Sequence, residues 1–145
     1  MIRFIESLPK TETHLHIEGA IPWELFEKKF PEEYNLTPYF RKASFRYDSF
    51  SQFESILIDH ALRIIKTPED YAEVARMVFA NHLSQNVRYV ELSFHAGIIE
   101  FLGIPGEEII KAIRSSVPDE LEVRIFMGMS RNSYSEYLGL SLIHI

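Results

Sequence analysis

His14 and His16 stand two residues apart in the run Thr11-Glu-Thr-His-Leu-His-Ile17. The alternation of that run predicts a β-strand, and strand residues i and i+2 leave the backbone on the same face. Two neutral imidazoles side by side are half a metal site, since imidazole nitrogen binds zinc at about 2.0–2.1 Å. The chain has no cysteine, so disulfides and thiolate sites are excluded and any metal must rest on His and carboxylate ligands. Spacing alone leaves an incidental pair of strand histidines open, because a site needs further donors that converge. The position of the pair favours ligation: it ends a strand, just before a glycine.

The elements that must position these residues can be read outward from them. Thr11, Thr13, Leu15 and Ile17 fall on one strand face, and Glu12, His14 and His16 on the other. Gly19 breaks the strand, and Pro22 suits the first turn of a helix over Trp23–Phe30, which Pro31 ends. Residues 31–46 lack a clean period and predict an irregular connection with a short helical turn. Helical spacing of Phe50, Phe53, Ile56, Leu57, Leu62 and Ile65 predicts a helix from about Ser49 to Ile65. Thr67-Pro-Glu-Asp70 starts another, with Thr67 as N-cap, Pro68 at the first position and acids facing the positive end of the helix dipole. It should run to about Gln85 and bury Tyr71, Val74, Ala75 and Val78, with His82 at the margin. Alternation returns over Val87–Phe94 and again over Leu121–Met129, with a helix over Pro105–Ile113 between them.

Strand, helical region, strand, helix, strand implies parallel strands joined by crossovers. In each strand one face is apolar and the other polar or mixed, whereas a doubly wound sheet is apolar on both faces. A barrel wall fits better, with helices outside and a lumen inside whose C-terminal mouth holds the chemistry. The expected fold class is therefore α/β, a partial TIM (β/α)8 barrel of about three βα units with a helical insert after strand 1. A complete barrel takes about 250 residues, so residues 1–145 read as a single incomplete N-terminal barrel domain. Residues 138–145 end in an apolar run that reads as a truncated or foreign tail. Open strand edges in such a piece invite aggregation.

Composition narrows the partners. Fifteen basic residues against twenty-one acidic give a net charge of −6, and no Lys/Arg cluster suggests a nucleic-acid partner. No apolar run approaches the roughly 18–20 residues that span a bilayer, and no signal peptide is evident at the N-terminus. These features predict a cytoplasmic protein without membrane attachment; they do not indicate an oligomeric state.

Three further groups carry candidate roles. His95 shares a strand face with Glu91 and Ser93, so it points toward the expected lumen, either into a substrate pocket or into a hydrogen bond at a loop start. Glu91 reads as structural there, paired to a backbone group or to a neighbouring strand's Arg, with Arg124 a candidate, because an unpaired buried carboxylate is costly. Phe50, Phe53, Ile56 and Leu57 show the pattern of any core-facing helix. His60, His82 and His144 show no ligand spacing and read as surface or helix-packing residues.

The segment Leu8-Pro-Lys-Thr-Glu-Thr-His-Leu-His-Ile-Glu-Gly-Ala-Ile21 resembles the N-terminal motif of the adenosine/adenine deaminase family, the metal-dependent purine deaminases of the amidohydrolase superfamily. Thr67-Pro-Glu-Asp-Tyr71 with its helix, Val87-Arg-Tyr-Val-Glu-Leu-Ser-Phe94, and a strand ending Met129-Ser-Arg131 extend the likeness over most of residues 7–131. The resemblance implies a (β/α)8 barrel that hydrolyses an amino group from a purine and releases ammonia, with one Zn2+ in the complete protein. It implies that His14 and His16 are zinc ligands, that His16, Glu18 and Gly19 meet the substrate, and that the helix carrying Phe50, Phe53, Ile56 and Leu57 lies over the pocket as a hydrophobic lid, which makes Phe50 and Phe53 candidate pocket residues; His95 is a further candidate by its strand parity alone. The family's third His, its Asp ligand, its proton-shuttling Glu and its orienting His have no counterpart here, so no catalytic residue is assigned and the 145 residues alone are expected to be inactive. Glu18 stands where the adenosine-specific branch generally has Asp, which makes adenine or a related aminopurine at least as good a substrate as adenosine. Ser93 and His95 depart from the Arg-Phe-Ser-Pro-like strand end common in the family.

Two alternatives stand beside this reading. Histidinol-phosphatase-like metal phosphoesterases also open with His-x-His on a first strand, although the Glu18-Gly-Ala-Ile-Pro22 continuation and the helical insert argue against them. The other is a barrel fragment with no catalytic role.

Overall fold

The computed structural model describes residues 2–34 and 36–129. A short helix α1 (Ile2–Ser7) leads into strand β1 (Lys10–His16), and a 3-10 turn over Ile17–Gly19 follows where the strand predicted from alternation ends. Helix α2 (Trp23–Lys29) and a four-residue helix α3 (Pro31–Tyr34) come next. A single 3-10 turn over Tyr39–Arg41 is the ordered element in the aperiodic stretch beyond. Helix α4 (Phe50–Ile64) is capped by the Ser49 hydroxyl, which accepts from the Gln52 N–H. Helix α5 (Pro68–Ser84) has the expected start: Thr67 accepts from the Asp70 N–H while the Asp70 carboxylate accepts from the Thr67 N–H, a reciprocal capping box.

Strand β2 (Val87–His95), helices α6 (Ala96–Leu102) and α7 (Gly106–Arg114), and strand β3 (Glu122–Gly128) complete the described chain. The strands form one parallel sheet in the order β1-β2-β3. His16 lies opposite Ser93, and His95 opposite Gly128. Val90, Leu92 and Phe94 are fully buried on one face of β2 and join a single core with Val74, Ala75, Val78 and Phe79 of α5 and Ile109 and Ile113 of α7. Tyr89, Glu91, Ser93 and His95 alternate with them and are only half-buried. Helices thus cover one face of the sheet and leave the histidine face open, as the alternation implies.

The lower end of the sheet, at the start of the strands, is tied together by backbone acceptors. Asn86 takes a left-handed turn at φ 61°, and its side-chain amide donates to Ser7 O at 2.8 Å while its own carbonyl accepts from the Lys10 N–H at 2.9 Å. The Lys10 ammonium donates to the carbonyls of Glu6, Leu8 and Gln85. Helix α1, the entry to β1 and the α5–β2 junction are joined in this way.

Two expectations need correction. Arg124 does not partner Glu91: it pairs with Glu122 on its own strand at 2.6 Å, and Glu91 accepts from the Tyr89 hydroxyl at 2.8 Å. Both acids find donors two residues away on the same strand face, which is closer than a neighbouring strand. Helix α6 replaces an expected connection, because His95 acts as its N-cap and Gly103, at φ 67°, ends it. The expectations for residues 138–145 and His144 fall outside the described residues.

Candidate functional site

Both candidate ligands lie at the C-terminal end of β1 and are exposed. Their Nε2 atoms are 3.1 Å apart, with ring centroids 4.9 Å apart. Two nitrogens bound at about 2.05 Å to one zinc at a tetrahedral angle stand about 3.3 Å apart, so the pair fits a shared ion without rearranging the strand. Among the described residues no third His, Asp, Glu or Cys joins them.

The chemistry of the donor set supports the same fit. Ser93, opposite His16 in register, places its Oγ 3.1 Å from His16 Nδ1 and 3.3 Å from the Leu15 carbonyl. A carbonyl can only accept, so the serine O–H donates to Leu15 O and its lone pair accepts from His16 Nδ1–H. That arrangement puts the imidazole proton on Nδ1 and leaves the Nε2 lone pair free for a metal, the usual second partner of a ligating histidine. The sequence did not single out Ser93 as a supporting group. Its signal was available only through the pairing register.

The 3-10 turn after β1 carries Glu18 into the interior. At 5% exposure it is the single buried charged residue among those described. Its Oε1 accepts from the Tyr71 hydroxyl at 3.1 Å and from the His95 N–H at 2.8 Å. No fully enclosed side-chain nitrogen or oxygen among the described residues lacks a partner, so Oε2, which takes no hydrogen bond there, keeps contact with open space. Burial, reinforced by the Glu18 charge, pushes the Tyr71 phenol well above its ordinary range, so Tyr71 keeps its proton and donates it to Glu18.

His95 caps α6 by accepting the Gly97 N–H on Nδ1 at 3.1 Å. In the neutral ring the proton then sits on Nε2. A Cβ at position 97 would come within 3.2 Å of the ring, so glycine there makes room for this packing.

Two cavities meet at the turn. A larger one of about 570 Å³ is lined by His16, Glu18, Gly19, Leu57 and His95, among others. A smaller one of about 320 Å³ is lined by aromatic side chains including Trp23, Phe40 and Phe53, by Arg41 and by His60. Glu18, Gly19 and Leu57 border both. The structure therefore brings His16, Glu18, Gly19 and His95 to one space, with His14 adjacent through His16. Phe53 belongs to the aromatic cavity. Phe50 is 74% exposed and borders neither. His60 packs against Phe26, Tyr34 and Phe40, its Nδ1 2.8 Å from Ile56 O.

Comparison with known proteins identifies the family. The adenosine deaminase family profile matches residues 9–132. An adenine deaminase of Zymomonas mobilis is 29% identical over 126 residues, which cover 81% of this chain and 36% of that protein. An Arabidopsis ADAL complexed with IMP shares the fold at a TM-score of 0.66 and 20% identity, covering 90% of this chain and 43% of the other. A Burkholderia ambifaria amidohydrolase with bound Zn does so at 0.59 and 18%, covering 86% and 36%. The chain thus spans well under half the length of these relatives. No helix among the described residues is long and apolar enough to cross a membrane. With its histidine pair, buried acid and parallel strands in the matched segment, this chain belongs to the adenosine deaminase family.

Proposed function

We propose that the complete protein is a zinc-dependent hydrolase that removes the amino group of a purine, with a free aminopurine such as adenine preferred. Residues 1–145 supply the first part of its (β/α)8 barrel. The observation that carries this reading is the pairing of His14 with His16, their Nε2 atoms 3.1 Å apart, and the meeting of His16 with Glu18 and His95 at one cavity. His14 and His16 would hold the metal, which would supply Lewis acidity and a nucleophile at neutral pH by acidifying water. Water adds to the ring carbon that bears the amino group, the carbon–nitrogen bond breaks, and ammonia leaves an oxopurine.

The chain's own residues bind and orient. Ser93 holds the His16 proton on Nδ1. Glu18 presents Oε2 to a substrate N–H, and His95 offers a donor at Nε2. A free base carries an N–H on its five-membered ring where a nucleoside carries carbon, so a carboxylate at this point favours the free base. The remaining ligands and the group that protonates the departing amine are assigned to the rest of the complete protein, and residues 1–145 alone are expected to turn over no purine.

Ammonia release from adenine, adenosine and AMP, alongside phosphate release from phosphomonoesters, tests the proposal with the complete zinc-loaded gene product. Ammonia from purines, fastest from adenine, is the expected result. Phosphate release, or no ammonia from any aminopurine, overturns it.

A further inference from the structure

Glu18 has a feature that burial alone does not explain. Both of its donors converge on Oε1, one from α5 and one from the end of β2, while Oε2 takes no hydrogen bond and the residue lines both cavities. A carboxylate buried for structural reasons gains most when donors are shared between its oxygens, because each unsatisfied lone pair inside a protein is costly. Tyr71 is entirely buried and belongs to the apolar face of α5, where an aliphatic residue would fill the core without a polar atom to satisfy. Its hydroxyl is spent on one oxygen of one acid. The second donor, the His95 N–H, is a backbone group fixed by β2, so the phenol is the adjustable half of the clamp.

We infer that Tyr71 is a positioning residue. Its O–H holds Glu18 Oε1 against the end of β2, so that Oε2 is the oxygen presented to the ring N–H of an unsubstituted purine. Without the phenol the carboxylate keeps one donor and can rotate about its terminal bond, and the presented oxygen is no longer fixed. The loss falls on recognition of the free base. A nucleoside has no N–H at that point and gains nothing from the clamp.

This inference rests on the deaminase reading above, and the experiment separates the two. Tyr71→Phe, Glu18→Gln and the double variant are made in the complete zinc-loaded protein. Zinc content, Tm, kcat and KM for adenine and adenosine, and the Kd for hypoxanthine by calorimetry are then measured. A hydrogen bond to a charged acceptor predicts that Tyr71→Phe raises KM for adenine and Kd for hypoxanthine about tenfold. Zinc content is unchanged, kcat moves by less than about threefold, and the adenine-over-adenosine preference falls about tenfold. In the Glu18→Gln background the same change has less than about a twofold effect, because the two groups act as one unit.

Equal losses for both substrates, or the same loss in both backgrounds, overturn the assignment while leaving the deaminase reading intact. A wild-type protein that loads zinc but releases ammonia from no aminopurine overturns the functional reading and this inference with it. Should Tyr71→Phe fail to fold, Tyr71→Met, whose flexible side chain fills irregular core space, takes its place. Failure of both makes the phenol structural and overturns the inference.

Discussion

Replacing Ser93 by alanine separates a metal site from an incidental histidine pair. Ser93 Oγ sits 3.1 Å from His16 Nδ1 and 3.3 Å from the Leu15 carbonyl. The substitution leaves the strand, both imidazoles and the core face of β2 in place, and removes the acceptor that holds the ring proton away from Nε2. Partners of this kind are worth about 10–100-fold in metal affinity. Both contacts here are long and Ser93 is only half-buried, so water replaces part of the loss. About 1–1.4 kcal/mol is the appropriate scale, a fall of about five- to tenfold in zinc affinity. Competition against a chromophoric chelator, performed on the complete protein, reads this directly, and Ser93→Thr should keep most of the affinity because it keeps the hydroxyl. If Ser93→Ala binds zinc within twofold of wild type at unchanged Tm, the proposed proton placement on His16 is wrong.

The remaining predictions concern the scaffold. Leu92 is fully buried on the core face of β2, so Leu92→Ala should cost about 3 kcal/mol in denaturant-induced unfolding; a cost below about 1 kcal/mol would contradict the one-sided core. At the start of α5, burial raises the Asp70 carboxyl, but hydrogen bonds from Lys29, the Lys66 N–H and Thr67 outweigh it and hold the group below its ordinary value. A depressed carboxylate contributes stability that is complete above its unfolded pKa of about 3.9 and is lost as pH falls through the lower folded value. Asp70→Asn should therefore flatten the dependence of Tm on pH in that acid window, and an unchanged acid limb counts against the capping cluster.

Much of the positioning scaffold was legible because it depends on local rules. Thr67-Pro-Glu-Asp70 announces α5 through its own capping chemistry, and the two-residue period of Val87–His95 announces both β2 and its core face. The pairing of His14 with His16 follows from the same period. What was not legible depends on contacts distant in sequence. Tyr71 sits at helical spacing among Val74, Ala75 and Val78 and is indistinguishable from a core residue until Glu18 is found beside it, 53 positions away. Ser93 gains its role from the register that places it against His16. Arg124 was assigned across strands to Glu91 because burial demands a partner, yet Tyr89 meets that need from the same strand. Helix α6 was missed because its cap is a histidine, which lies outside the usual Ser, Thr, Asp and Asn preference.

The Asn86 and Lys10 fastening sits at the end of the sheet opposite the histidines. Its donors meet backbone carbonyls of Glu6, Ser7, Leu8 and Gln85, and none of its members borders either cavity. The fastening and the histidine pair therefore stand at opposite poles of the β1–β2 pair. An engineer could reinforce this floor, lengthen α1 or recolour the lower surface to raise heat tolerance while the histidine-bearing rim stayed untouched.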